Sequence, residues 1–258
     1  MDLLLKDKVA IVGGASDGIG HGIAMALAAE GAKLAICARR EPGLARAAEA
    51  IRQAIGAEVL PISADCRNAD DCRRVIETTA GHFGGIDIVV NNDGAPPLGS
   101  AMSFDDTAWH QAIEQNFMYA VRMARGAVPY MEKRGGGSIL NITAISAIQP
   151  IAGFSLSVAT WAGVIGFAKT LSIEVARLGI NVNTICPGYI ETKRLEKVFT
   201  AAKTPDAMRA QLTAQIPMGR IGTVQDVANI VAFLVSPRGR YVTGTAIQVD
   251  GGLLRALR

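Results

Sequence analysis

The chain has 258 residues, half of them hydrophobic, and a formal net charge of only +3. This length and apolarity are enough for one large α/β domain with a sizeable core. Lysine and arginine are scattered, with no basic stripe and no interleaved aromatics, so we expect no nucleic-acid partner.

Short apolar runs alternate with helical patterns along the whole chain. The predicted strands occupy 8–14, 33–38, 57–63, 86–92, 137–143, 180–186 and 246–251. The predicted helices lie near 18–30, 42–55, 69–83, 105–133, 157–178 and 224–236. Repeated β–α units predict a parallel sheet with helices on both sides. Neither a linker nor an internal repeat is visible, so residues 1–258 are predicted to form a single α/β domain.

The first motif, VGGASDGIG at 12–20, lies between the first predicted strand and the first predicted helix. Glycines at Gly14, Gly18 and Gly20 would permit a tight turn and a close approach of a pyrophosphate to the helix N-terminus. A close-packed turn also needs glycine, but the strand–turn–helix context favours a nucleotide-binding loop.

The second predicted strand ends in CARRE, so Ala38 is followed by Arg39 and Arg40. Two guanidiniums at this point suit a 2′-phosphate, which favours NADP over NAD. The alternative is an exposed helix start with no ligand. Asp17 in the glycine loop works against NADP, so both cofactors stay open, with NADP preferred.

Later landmarks follow in order: Asp65 after the third strand, NNDG at 91–94, Asn116 in the long helix, and PGYIET at 187–192. With the G-x-x-x-G-x-G loop they resemble the short-chain dehydrogenase/reductase family over nearly the whole chain, and most closely its β-ketoacyl-ACP-reductase-like members. The resemblance implies a Rossmann-like, doubly wound sheet of seven parallel strands, usually in a tetramer. It also implies a nicotinamide cofactor across the carboxyl ends of the strands.

The same resemblance implies which residues contact the cofactor. Asp65 would accept a hydrogen bond from the adenine amine, or would otherwise cap a turn. The remaining implied contacts are Gly14, Gly18, Ile19, Gly20, Arg39, Arg40, Asn91, Pro187, Gly188 and Thr192.

Three of the four catalytic positions of that family are replaced. The family uses a tyrosine and a lysine in Y-x-x-x-K, a serine and an asparagine. Alignment on AGVIGFAKTL (162–171) and LNITA (140–144) places Ser157 at the tyrosine, Trp161 at the lysine and Ala144 at the serine. Asn116 alone remains, and without its partners a structural role in the helix is the simpler interpretation.

No shift of the alignment restores the motif on this helix, because 134–168 contains neither tyrosine nor lysine. A serine hydroxyl is a far weaker acid than a phenol, whose pKa is ~10. Trp161 carries no charge and Ala144 has no side-chain donor. A literal Y-x-x-x-K occurs at Tyr189–Lys193, where Tyr189 could face the substrate but Lys193 has no evident route to the nicotinamide ribose.

The cofactor motifs are also altered. Gly13 stands where the family has threonine, and Asp93 replaces the small alanine of its NNAG segment. A carboxylate at position 93 could repel a pyrophosphate or serve as a new acid/base group. Alternatively, Asp93 points to solvent or caps the following turn. Cofactor binding is therefore expected to be weak or lost.

Three functions remain open at this stage. The favoured one is an NAD(P)-dependent oxidoreductase of carbonyls or alcohols, acting on an acyl thioester or small ketone with little intrinsic activity. The second is a catalytically silent subunit of a homo- or hetero-oligomer that contains a complete family member. The third is a non-redox lyase or hydratase that uses Asp93 or Tyr189. A predicted substrate lid near 190–215 is too variable in such folds to identify a substrate.

Cysteine usage and the chain start predict a cytoplasmic protein with reduced thiols. The four cysteines form no C-x-x-C pair, and MDLLLKDKVAIVGG lacks a signal-peptide pattern. The uncharged run 135–168 includes Pro150, glycines and hydroxyls, so we expect a buried strand, loop and helix and no membrane span. The three histidines are dispersed, and no metal site is predicted.

Overall fold

Seven parallel strands form one sheet in the order β3-β2-β1-β4-β5-β6-β7 in the computed structural model, which describes residues 1–200 and 203–256. The strands are β1 (Val9–Gly13), β2 (Lys33–Ala38), β3 (Val59–Ser63), β4 (Ile88–Asn91), β5 (Gly137–Ile142), β6 (Ile180–Pro187) and β7 (Ala246–Val249). The predicted doubly wound, Rossmann-like sheet is confirmed. Residues 201–202 of the predicted lid and 257–258 of the predicted domain lie outside the described residues.

Nine α-helices accompany the sheet within the described residues. They are α1 (Gly18–Ala29), α2 (Glu41–Ile55), α3 (Ala69–Phe83), α4 (Asp106–Ala112), α5 (Tyr119–Lys133), α6 (Ser155–Val175), α7 (Lys193–Thr200), α8 (Pro205–Gln215) and α9 (Val224–Val235). The prediction of one continuous helix over 105–133 was wrong, because the structure divides this segment. A π-helical turn, Ile113–Met118, separates α4 from α5 and contains Asn116. Such turns shift the hydrogen-bond ladder and often occur at functional sites.

Helices cover both faces of the sheet, which explains why the strands are continuous apolar runs. Successive side chains of a strand point to opposite faces. In β1, Ala10 and Val12 pack with α1 and α9, whereas Ile11 packs with α3 and α5. The carboxyl ends of β1 and β4 therefore meet between two well-packed layers, where the candidate site lies.

One segment, Ser155–Leu178, is long and apolar enough to cross a membrane, with a mean hydropathy of 1.4. In this fold the segment packs along β6 and against the π-helical turn. It also buries the hydroxyl side chains Ser157, Thr160 and Ser172. We therefore interpret α6 as one of the helices that cover the sheet.

Candidate functional site

A cavity of about 390 Å³ opens at the carboxyl ends of β1, β2, β3 and β4. Its position is the one at which the strand order reverses on either side of β1, where open α/β sheets bind ligands. It is lined by Gly14, Ser16, Asp17, Gly18, Ile19, Cys37, Ala38, Arg39, Arg40, Ala64, Cys66, Cys72, Val75, Asn92, Asp93, Gly94, Tyr119, Met123, Thr192, Lys193 and Arg194.

The glycine loop forms one wall of this cavity and tolerates no side chain at two of its positions. A Cβ on Gly14 would lie 2.7 Å from Asn92 Nδ2, and one on Gly20 would lie 2.5 Å from the Gly14 carbonyl oxygen. Gly14 and Gly18 also have positive φ angles, which disfavour other residues. Asn92 donates from Nδ2 to the Gly13 carbonyl at 3.1 Å and so ties the loop to the end of β4.

The N-terminus of α1, where a pyrophosphate would be bound, already holds a carboxylate of the chain itself. Asp17 accepts from the Gly18 N–H at 2.8 Å, and Lys193 lies 2.8 Å from its other oxygen. Partial burial raises the pKa of Asp17, but Lys193 and the Gly18 N–H outweigh it, so this pKa lies below its ordinary value. Lys193, half of the literal Y-x-x-x-K match, is thus engaged at the glycine loop.

Arg39 and Arg40 line the opposite wall of the cavity and are exposed. Neither guanidinium has an ion-pair partner within the part of the chain that the structure describes. Arg194, at the start of α7, contributes a third guanidinium that sequence reasoning missed. Its signal was its position two residues after the PGYIET landmark. Together these side chains make this end of the cavity cationic.

Asp65, the predicted acceptor for an adenine amine, is engaged elsewhere. Arg67 donates to its carboxylate from Nη2 at 2.6 Å and from Nε at 3.0 and 3.2 Å. The hydrogen bond from Arg67 is the main cause of a lowered pKa of Asp65, against a smaller opposing effect of burial. Asp65 is not among the residues that line the cavity.

Asp93 lines the cavity, contrary to the interpretation that it points to solvent. Cys66 donates from Sγ to Asp93 Oδ2 at 2.8 Å, across a gap of 27 residues in the chain. Burial raises the pKa of Asp93, and the hydrogen bonds from Cys66 and the Gly94 backbone only partly offset that effect. The same burial, with the charge of Asp93, raises the pKa of the Cys66 thiol, which is consequently a donor and not a thiolate.

We expect Asp93→Asn to raise the thermal unfolding midpoint at about pH 8 and to have little effect near pH 4. A carboxyl whose pKa is raised by folding contributes stability below its unfolded pKa of ~3.9 and loses it as the pH rises through the folded pKa. The asparagine has no charge to bury, so the gap should widen with pH. Calorimetric melting at both pH values measures it, with exposed Glu77→Gln as the control. A gap that stays constant with pH would contradict the burial of a charge at position 93.

Tyr119 is a second cavity residue that sequence reasoning missed. Its side chain is buried, and a Cβ on Gly13 would collide with its hydroxyl. The phenol therefore fills the space next to β1 that the absent threonine would need. A hydrogen bond links Tyr119 to Cys37, although burial still raises the pKa of this thiol to about 12. The sequence could have indicated this contact, because a large residue stands three positions after Asn116 and position 13 lacks the threonine of the family.

The positions of the family tetrad do not line the cavity. Ser157 is 1% exposed, and its hydroxyl has no hydrogen-bond partner among the described residues. Asn116 donates from Nδ2 to the Thr160 hydroxyl at 2.8 Å, so this amide joins the π-helical turn to α6. Trp161 follows one residue later and is half-buried. Ala144 begins a short 3₁₀ turn, Ile145–Ala147.

Residues of the loop after β6 line two different cavities. Thr192 lines the main cavity beside Gly18, whereas Tyr189 lines a separate cavity of about 400 Å³ with Arg220 and Asp250. Pro187 ends β6. Gly188 packs closely against Asp250, since a Cβ added to Gly188 would lie only 2.8 Å from Asp250 Cβ. The structure consequently does not bring Tyr189 and Asp93 together.

Two further predictions concern Asn91 and metals. Asn91 is buried and donates from Nδ2 to Asn141 Oδ1 at 2.9 Å, so its side chain joins β4 to β5 and is not in the cavity wall. Within residues 1–200 and 203–256, no group of three His, Cys, Asp or Glu side chains could hold a metal ion. The absence of a metal cofactor stays a prediction.

Comparison with known proteins identifies relatives over nearly the whole chain. A family model described as Enoyl-(Acyl carrier protein) reductase matches residues 14–254. The 3-oxoacyl-(acyl-carrier-protein) reductase FabG of Escherichia coli is 38% identical over 96% of this chain and 98% of its own. Human dehydrogenase/reductase SDR family member 4 is 34% identical over 96% of this chain and 88% of its own.

Solved structures agree with this assignment. L-sorbose reductase from Gluconobacter frateurii, complexed with NADPH and L-sorbose, has a TM-score of 0.96 and 36% identity, with both chains covered completely. YwfH, an NADPH-dependent reductase involved in bacilysin biosynthesis, has a TM-score of 0.94 and 26% identity over 98% of this chain and 100% of its own. Seven parallel strands in this order, a glycine loop at the first β–α turn and relatives along the full chain make this protein a member of the short-chain dehydrogenase/reductase family.

Proposed function

We propose that the chain binds NADP(H) in the main cavity and that it does not transfer hydride by the tyrosine–lysine route of its family. The observation that carries this proposal is the contrast between the two halves of the site. The cavity keeps a glycine cradle and unpaired guanidiniums, whereas Ala144, Ser157 and Trp161 replace three catalytic groups. L-sorbose reductase is complexed with NADPH and YwfH is an NADPH-dependent reductase, which supports the same cofactor here.

The residues present fit the dinucleotide at one end better than at the other. The loop at Gly14 and Gly18 exposes backbone where a Cβ would block close approach, and Arg39 with Arg40 would hold a 2′-phosphate. Asp17 opposes binding because its carboxylate already occupies the start of α1. Phosphate oxygens would have to displace it from the Gly18 N–H. We therefore propose weak binding.

When bound, the nicotinamide would supply a hydride to a carbonyl or accept one from an alcohol. At the tyrosine position, Ser157 offers a buried hydroxyl with no hydrogen-bond partner among the described residues. Trp161 offers no ammonium to hold the ribose. The tetrad positions thus leave an alkoxide without a proton donor of suitable pKa.

The substrate class that we propose is an acyl thioester or small ketone. The support is limited to relatives whose names describe reduction of 3-oxoacyl groups or of L-sorbose. The helices α7 and α8 lie where a lid over that substrate was predicted, and the lid function stays a proposal.

A silent subunit of a homo- or hetero-oligomer is the second candidate function. Apolar side chains on two helices are uncovered in the single chain: Ile173 of α6 is 71% exposed, and Ile230 and Phe233 of α9 are each over a third exposed. Such faces suit burial against another subunit. In this second candidate function, the chain would form a tetramer with a complete family member in the cytoplasm.

A non-redox lyase or hydratase fits the geometry less well. Asp93 lies in the cavity at the end of β4, next to Arg39, whereas Tyr189 lines the other cavity. Neither group has the second acid/base partner that such a reaction needs.

Removal of the two guanidiniums is the test of cofactor binding. We expect Arg39→Ala/Arg40→Ala to weaken NADPH binding about tenfold and to leave NADH binding nearly unchanged, since only NADPH carries the 2′-phosphate. Titration calorimetry measures both affinities. Arg46→Ala is the matched control, because Arg46 is an exposed arginine of α2 outside the cavity. Tight NADH binding that the double substitution does not alter would contradict the NADP preference.

A further inference from the structure

The walls of the main cavity divide by chemistry. The glycine loop and Arg39 with Arg40 provide the places for phosphates, as proposed above. The polar side chains of the wall that directly follow β3 and β4 are Cys66, Asn92 and Asp93. The Asn92 amide already donates a hydrogen bond to the Gly13 carbonyl, and the Cys66 thiol already donates one to Asp93.

Asp93 is the group on this wall with capacity left for a ligand. Its Oδ2 atom accepts from Cys66 at 2.8 Å, and the Gly94 backbone N–H also donates to this carboxylate. An ionised carboxylate has about four acceptor sites, so an oxygen remains to face the cavity. Cys66 also fixes the rotamer of Asp93, which makes the acceptor preorganised.

Asp65 cannot take this role in the observed geometry. Both of its oxygens are bound by Arg67, and the Arg67 backbone N–H adds a further bond at 3.1 Å. Asp65 also lies outside the cavity wall, with its carboxylate turned to Arg67. Of the two carboxylates that follow β3 and β4, Asp93 is therefore the one available to a donor inside the cavity.

We propose that Asp93, held by Cys66, recognises the base of the bound nucleotide by accepting a hydrogen bond from the exocyclic amino group of adenine. This inference rests on the proposed binding of NADP(H). A base that presents a carbonyl at the same position places acceptor against acceptor, and a buried polar group left unpaired is costly. Asp93 is thus a specificity-determining residue that has replaced a small side chain.

The test compares NADP with nicotinamide hypoxanthine dinucleotide phosphate, which has a carbonyl in place of that amino group and a proton on the adjacent ring nitrogen N1. We expect the wild-type protein to prefer NADP roughly 10- to 100-fold in titration calorimetry at about pH 8. Asp93→Ala should bring the two affinities to within about threefold of each other. Asp93→Ser is the second variant, in case the alanine protein does not fold.

Asp65→Asn is the control that separates the two carboxylates, and it should keep the preference for NADP. Equal binding of both dinucleotides by the wild-type protein overturns the role of Asp93 and leaves NADP binding intact. Loss of the preference in Asp65→Asn, with its retention in Asp93→Ala, also overturns it. Binding of neither dinucleotide overturns the proposed function itself, and the base recognition with it.

Discussion

The purified protein alone is expected to oxidise NADPH with β-ketoacyl thioesters or simple ketones far more slowly than the ~1–10³ s⁻¹ of ordinary enzymes. A positioned acid/base group contributes on the order of 10²–10⁴ in rate, and an oxyanion donor about 10²–10³. Ser157 and Ala144 supply neither, and Trp161 removes the cation. Absorbance at saturating NADPH, with a complete family member as the positive control, measures the difference.

A turnover number in the ordinary range would show that another residue has taken the acid's place. Tyr189→Phe would then identify it, since Tyr189 is the phenol on the loop that follows β6. Activity that appears only when a complete family member is added would instead support the silent-subunit function.

Single restorations of the family groups are expected to give no measurable reductase activity. Serine, tyrosine and lysine act as one unit, and groups that act as a unit are strongly non-additive. Ser157→Tyr places a phenol without an ammonium to lower its pKa. Trp161→Lys introduces an ammonium without a partner on a half-buried helix position, which should also lower the melting temperature.

The triple variant Ala144→Ser/Ser157→Tyr/Trp161→Lys is the informative case. We expect a trace of activity, at least about tenfold above any single variant, provided that the cofactor displaces Asp17 from the start of α1. Addition of Asp17→Ser to the triple variant should increase this activity, because it frees the start of α1 for a phosphate. Strong activity from Ser157→Tyr alone would contradict the assignment of the lysine position.

Local sequence patterns predicted most of the fold. Each strand is buried on both faces, so it leaves an uninterrupted apolar run such as KLAICA, which becomes β2. The π-helical turn at 113–118 leaves no such trace, because the residues around Asn116 fit an ordinary helix equally well. A shifted hydrogen-bond ladder depends on packing against α6, which a local pattern does not contain.

The sequence predicted those site residues whose chemistry is distinctive and which directly follow a predicted strand. The glycine loop and the arginines after β2 are each next to one predicted strand end, and both line the cavity. The bond between Cys66 and Asp93 joins two strand ends 27 residues apart, and the capture of Asp65 by Arg67 depends on rotamers. Neither residue type nor spacing specifies such choices.

The contact between Gly13 and Tyr119 constrains the order in which this chain can change. Threonine at position 13 would collide with the phenol, and overpacking of a buried strand is destabilising. A small residue at position 119 would leave a void beside β1 and the Cys37 thiol, which is destabilising as well. Threonine at 13 alone or a small residue at 119 alone is therefore harmful, while the two changes together are tolerable, so this pair of positions is subject to reciprocal sign epistasis. The present pair is therefore stable against single substitutions of this kind, whatever happens at the catalytic positions.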